Sequence, residues 1–199
     1  DISTKKFARY VERWLLKQRY IVEYPQQSDG RRHTVVKCSP VDLAKELPGV
    51  ELPGRLLRLA GQRVECTDEF PLFVALNGDR RVMGYSFLFV PREVSWHDCL
   101  PVPVGEARET SSWVEEEFRG YGVRGSLLAD QMAYCAARGL RFTAVIEGSN
   151  RSSFRSSVKS GAWVRQRNLL IKILGRNVMS VTTSPLHVYV LIGPRRAHR

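Results

Sequence analysis

The chain has 199 residues, 43% of them hydrophobic and 26% charged, a composition that supports one full core and excludes a disordered polymer. No run of eighteen apolar residues occurs, which excludes a helical membrane span. The formal net charge of +11 is unevenly placed: residues 151–199 hold ten Lys or Arg and no Asp or Glu, so the last quarter should attract a polyanion.

The spacing of Phe7, Tyr10, Val11, Trp14 and Leu15 predicts an amphipathic helix over residues 4–18, charged in the manner of an extension and not of a signal peptide. Residues 33–38 read as the first strand, Ser39 caps a short helix through Leu47, and Pro53 opens another to about Arg63. Strands over 70–76 and 81–90 form a hairpin across Asn77-Gly78-Asp79, a strong turn signal. Residues 91–105 carry Pro91, Pro101 and Pro103 and read as a long loop, with Trp96 and His97 as pocket or anchoring residues. A strand over 107–114 follows, then the run Glu115-Glu116-Glu117, read as a solvated flank. Cys38, Cys66, Cys99 and Cys135 form no CxxC pair, so reduced thiols in a cytoplasmic protein are expected, with no metal site. His187 sits in an apolar strand and reads as a core or edge residue.

The stretch Arg119-Gly120-Tyr121-Gly122-Val123-Arg124-Gly125-Ser126 is the densest signal. Three glycines stand where a strand gives way to a helix over about 125–138, with Leu128, Met132 and Cys135 on one face and Gly139 as its stop. Glycines let backbone N–H groups approach a phosphate, and the first helical turn adds unpaired donors at the positive end of the macrodipole. A P-loop would need Lys-Ser or Lys-Thr after its last glycine, and Gly125 is followed by Ser126-Leu127. A dinucleotide fold would want an acid closing the next strand, 140–146, and Glu147 could take that place. The continuation, Glu147-Gly148-Ser149-Asn150, a Ser-rich helix and Lys159-Ser160-Gly161-Ala162-Trp163, points elsewhere.

In this block the chain resembles the GNAT superfamily of N-acyltransferases: Val114, Arg119, Gly122, Asn150, Lys159 and Gly161 fit its pattern in order. The resemblance spans about 35–191 and implies an α+β fold: a mixed, mostly antiparallel central sheet flanked by helices, with splayed strands at the acyl-donor site. Residues 1–30 would then be an N-terminal helical extension, 31–194 the acyltransferase domain and 195–199 a basic tail. Arg124 stands where the family has Gly or Ala, so it either points away from a pyrophosphate or pairs with it. Ser157 stands where many members place a tyrosine that protonates the leaving thiolate, so a proton would come through Ser157 with water, or the thiolate would leave unassisted.

The resemblance implies an acyl-CoA-dependent N-acyltransferase, most simply an acetyltransferase using acetyl-CoA, with an amine acceptor. Ser112, Trp113 and Val114 would border the thioester, residues 119–126 would cradle the pyrophosphate, and Asn150 would bond the pantetheine or hold the splayed strands. An alkylammonium, of pKa roughly 10, needs a base, for which Glu109 is the first candidate and Glu106 the second. The basic last quarter leaves two alternatives: a relative that takes its acyl group from an acidic acyl carrier protein, and a non-catalytic nucleic-acid-binding module on the same fold. No aromatic-interleaved basic repeat or helix-turn-helix signal supports the latter.

Overall fold

The computed structural model describes residues 16–26, 32–64, 68–173, 176–183 and 186–190. The described strands are β1 (Leu16–Glu23), β2 (Thr34–Cys38), β3 (Leu72–Leu76), β4 (Val82–Phe89), β5 (Ser95–His97), β6 (Leu100–Val102), β7 (Glu106–Val114), β8 (Arg141–Glu147), β9 (Trp163–Ile173), β10 (Arg176–Thr183) and β11 (Leu186–Val190). The helices are α1 (Leu43–Glu46), α2 (Gly54–Val64), α3 (Val123–Ala137) and α4 (Arg151–Lys159). Nine strands form one sheet in the order β11-β10-β9-β1-β8-β7-β4-β3-β2, and every neighbouring pair is antiparallel except β7 with β8. The α+β architecture with a largely antiparallel sheet is therefore present.

Two apolar layers cover the two faces. On one, α3 lays Val123, Leu127, Leu128, Met132 and Cys135 against Val22, Phe73, Met83, Leu88 and Phe142. On the other, Leu43, Leu47, Leu56 and Ala60 of α1, α2 and their flank pack on Leu72, Val74, Tyr85 and Phe87. Strand β4 is buried along its whole length because it contributes to both layers. The expected hairpin of β3 and β4 is present, closed by an Asn77 side-chain oxygen that accepts the Arg81 N–H at 2.8 Å.

Several sequence expectations differ from the structure, the first being the cap of α1, which is Asp42 and not Ser39. Residues 16–18, read as the end of a helix, open strand β1, which pairs with both β8 and β9. Residues 4–15 of that predicted helix lie outside the described residues. The stretch Tyr20-Ile21-Val22 is aromatic and β-branched, suited to a pleated strand, and its two neighbours supply hydrogen bonds on both edges. Residues 16–23 are consequently integral to the sheet, and not an extension to it. The segment 91–105, read as a loop, contains the small β5–β6 hairpin. Asp98 and Cys99 hold φ of 53° and 62°, the two left-handed positions of a tight two-residue turn. Pro101 is tolerated because a two-stranded ribbon has free edges.

Cys38, Cys99 and Cys135 are free thiols, and Cys66 lies outside the described residues. The tail 195–199 and residues 27–31 also lie outside them. His187 is in β11, opposite Thr182.

Candidate functional site

The parallel β7–β8 pairing is short. It runs from Glu106 opposite Arg141 to Glu109 opposite Ala144 and stops there. Beyond that point β7 continues to Val114 against β4 alone, while β8 continues to Glu147 against β1. The two central strands thus open into a wedge at their C-terminal ends. A bulge at Thr110, between the pairs Phe87–Ser111 and Leu88–Glu109, shifts the side-chain alternation of β7 by one residue. Glu109 and Ser112 consequently share the α3 face, and Ser111 and Trp113 turn to the α2 face.

The glycine turn sits at the mouth of this wedge. Gly120 and Gly122 both take φ of 86°, a left-handed backbone that glycine adopts without strain. Gly122 is the N-cap of α3, so the helix begins two residues earlier than the spacing predicted, and Arg124 and Gly125 lie in its first turn. The first bond back to the cap runs from the Ser126 N–H to the Gly122 carbonyl at 3.2 Å, and the amides of Val123, Arg124 and Gly125 precede it. Ser126 Oγ accepts the Arg32 and His33 N–H groups at 2.9 and 3.1 Å, and the His33 ring donates to the Tyr121 carbonyl at 2.8 Å. The Arg32 side chain crosses the turn so closely that a Cβ on Gly122 would lie 3.3 Å from its Cδ. Arg119 folds back instead, donating to the Val114 carbonyl at 3.2 Å with its guanidinium 4.9 Å from the Trp113 ring centre. Glu116 and Glu117 pair with Arg119 and Arg81 on the surface.

Inside the wedge lies a charged cluster that joins four elements. The Arg124 guanidinium donates to both carboxylate oxygens of Glu109 and, at 2.7 Å, to Ser112 Oγ. The Arg124 side chain is thus turned to Glu109 and Ser112 of β7. Burial works against its charge, and the Glu109 carboxylate outweighs that, holding Arg124 above the ordinary arginine value. Ser86 Oγ donates to Glu109 at 2.6 Å and accepts from Gln131 at 2.9 Å. The Tyr24 hydroxyl lies 2.6 Å from Ser157 Oγ, within the field of the Glu109 and Arg124 charges. Tyr24 is 3% exposed and Ser157 1%. Burial and the Glu109 charge push the Tyr24 phenol up to about 12.

Glu106 is on the opposite face at the closed end of the pair. It accepts from Arg108 at 2.6 Å, Thr143 at 2.8 Å and Arg165 at 2.8 Å, and is 2% exposed. There it is the shared acceptor of two guanidiniums and one hydroxyl. Asn150 caps α4, its Oδ1 accepting the Ser153 N–H at 3.1 Å. Trp113 directs its ring to the α2 side, where Arg55 lies 4.0 Å from its centre, so only its backbone borders the wedge. Tyr24, Arg32, Ser86 and Gln131 have no local sequence signal; the alternation of Tyr20, Val22 and Tyr24 was the one pattern that could have placed Tyr24 on the α3 face. Among the described residues no three His, Cys, Asp or Glu side chains gather to hold a metal ion, and no helix is long and apolar enough to cross a membrane.

Under the β5–β6 hairpin, burial lowers His97 from the ordinary 6.5 to about 4, against the pull of Asp98. The folded state thus takes up its proton later than the unfolded chain does as pH falls. Stability should be full above pH 6.5 and decline as pH drops towards about 4, and His97→Gln should flatten that slope in denaturant titrations across the window.

A sheet with one parallel pair that opens above a glycine turn and helix N-terminus defines the GNAT class of fold. No family model and no curated protein matches the sequence. Among solved structures the chain is similar to an acetyltransferase of the GNAT family from Colwellia psychrerythraea, with a TM-score of 0.53 and 13% identity over 83% of this chain and 60% of that one. It is similar to a GCN5-related N-acetyltransferase from Sphaerobacter thermophilus, with a TM-score of 0.52 and 16% identity over 87% and 58%. A GNAT-family protein from Novosphingobium aromaticivorans gives 0.51 and 15% over 77% and 62%. The chain spans about three fifths of the length of each, and at these identities the likeness is one of fold: the chain has the GNAT fold.

Proposed function

We propose that the protein is an N-acyltransferase that takes an acyl group, most simply acetyl, from a coenzyme A thioester and passes it to an amine. The observation that carries this reading is the opening of β7 from β8 directly beside the α3 N-terminus. The backbone amides between Gly120 and Ser126 hold the pyrophosphate at the positive end of the helix. The edge of β7 from Ser112 to Val114 that β8 leaves uncovered faces the pantetheine, with Asn150 at the far wall. The exposed cations of α4, Arg151, Arg155 and Lys159, add a field that suits the phosphates of the donor or an acidic carrier.

Glu109 has both oxygens engaged by Arg124. In this reading it holds that guanidinium in place, and the amine proton leaves to solvent. The two roles separate by pH. Were Glu109 the base, the turnover lost in Glu109→Gln would shrink as pH rises and more amine is neutral; as the anchor of Arg124, the loss should stay constant from pH 7 to 9, measured as thiol released from acetyl-CoA over a panel of amines.

The alternatives are transfer from an acidic acyl carrier protein and a non-catalytic nucleic-acid-binding module on the same fold. Calorimetric titration of the protein with coenzyme A, acetyl-CoA and an acyl carrier protein in parallel decides. Binding of coenzyme A, with a melting temperature that rises at saturation by mass action, is the expected result. Heat with the carrier alone would move the donor to that protein. No heat with any donor, together with duplex binding that weakens log-linearly with salt, would establish the nucleic-acid module instead.

A further inference from the structure

On β9 and β10 the two faces of the sheet have exchanged their usual characters. Asn168, Ser180 and Thr182 point one way with Leu170, and all four are buried. Leu169, Ile171, Met179 and Val181 point the other way and are half-buried, and Val188 of β11 is 54% exposed. The register joins these five into one patch: Leu169 pairs with Val181 and Val181 with Val188, while Ile171 pairs with Met179. Opposite residues of an antiparallel pair share a face, so the side chains lie next to one another. An antiparallel sheet that turns one face to water carries polar residues there. Here the polar residues are inside and the apolar ones outside. Among the described residues, none of the five is packed into the layers that α2 and α3 cover.

The patch lies on the side of the sheet that carries α4. Phe154 of α4 packs on Tyr20 of β1 with ring centres 5.3 Å apart, and Tyr20 pairs with Arg167, two residues before Leu169. So α4 covers β1, and none of the described helices covers β9–β11 beyond it. The outer side of α4 carries Arg151, Arg155, Val158 and Lys159, all exposed. Its three cations follow at i, i+4 spacing and repel one another, and Arg151 stands at the positive end of the helix. None has a carboxylate partner among the described residues, and no Asp or Glu occurs from Arg151 to Val190.

We propose that this surface docks an acidic amphipathic helix of a partner protein, with its apolar side on the five aliphatic residues and its carboxylates towards Arg151, Arg155 and Lys159. It goes beyond the coenzyme A reading and stands whether or not that donor binds. The patch lies a helix diameter, about 10 Å, below the outer side of α4, a recess that a helix fills and a flat bilayer does not. Charge selects among helical occupants, since the same segment of a second copy would bring only cations against cations. A nucleic acid would match the charge, but the five aliphatic side chains offer no ring on which a base could stack.

Selection of a phage-displayed library of random helical peptides on the full chain tests the proposal. The selected peptides should carry apolar residues at i, i+3, i+4 and i+7 flanked by Asp or Glu. A synthetic consensus peptide, followed by fluorescence anisotropy, should lose about tenfold in affinity for Val188→Asp and several-fold for Arg155→Glu, and should bind more weakly as salt rises. Both side chains are exposed, so both variants should keep the wild-type melting temperature. No enrichment, enrichment of basic peptides, or equal binding to wild type and variants overturns the proposal. A dimer in analytical ultracentrifugation that Val188→Asp dissolves would give the face to a second copy instead. Binding to phosphatidylserine-rich vesicles that Val188→Asp abolishes would give it to a membrane, and either result overturns the helix.

Discussion

Gly122→Val should weaken coenzyme A binding by well over tenfold, about 1.4 kcal/mol or more, in calorimetric titration. Two separate effects add. The residue holds φ of 86°, which a β-branched side chain adopts only under strain, so the turn would rearrange and take the first amides of α3 with it. A Cβ in the present backbone would also press on Arg32 at 3.3 Å, and that side chain would have to give by a few tenths of an ångström. Gly120 isolates the first effect, since it has the same φ of 86° with nothing within 4 Å of its would-be Cβ. Gly120→Ala should therefore strain the backbone without displacing Arg32 and cost less affinity. Unchanged coenzyme A affinity in a folded Gly122→Val variant would remove the turn from the donor site.

Local chemistry was enough to read the parts of the fold that are local. Asn77-Gly78-Asp79 specifies a hairpin by itself, and Gly122 with the apolar face of Leu128, Met132 and Cys135 specifies a turn and helix. Strand β1 was illegible for a physical reason. The sequence before it carries a 3.6-residue apolar period up to Leu15, and nothing in residues 16–18 breaks it; what makes them a strand is pairing with Leu169, Leu170 and Ile171, more than a hundred residues away. The cluster in the wedge was hidden in the same way. Glu109 and Ser112 lie three apart and would fall on opposite faces of a regular strand, and only the bulge at Thr110, a property of the pairing with β4, brings both to Arg124. Ser157 was marked by the family resemblance, but the phenol beside it comes from 133 residues earlier in the chain.

Glu106→Ala should cause the largest loss of stability of any single change near the wedge, about 3–5 kcal/mol, read as a shift in denaturant midpoint. The carboxylate is the shared acceptor of Arg108, Arg165 and Thr143, and its two guanidinium partners differ in what they can do without it. Arg165 has Glu23 as a second carboxylate at 3.6 Å and a side chain one third exposed, so it can turn to water. Arg108 is 1% exposed, and its remaining bonds go to the Leu100 and Pro101 carbonyls at 3.4 and 3.0 Å, which carry no full charge. Burial already lowers its proton affinity against the pull of Glu106, so removing Glu106 leaves a buried cation with only the Asp98 charge and two carbonyls to oppose the desolvation. Glu106→Leu combined with Arg108→Met should recover most of the loss, because an apolar pair of similar volume needs neither charge to be desolvated. Since Glu106 opposite Arg141 begins the four-residue parallel contact of β7 with β8, the single variant should also loosen the closed end of the wedge. Coenzyme A affinity should then fall in Glu106→Ala and return in the double variant; recovery of stability without recovery of affinity would mean that the charge of Glu106, and not the packing it holds together, matters to the donor site.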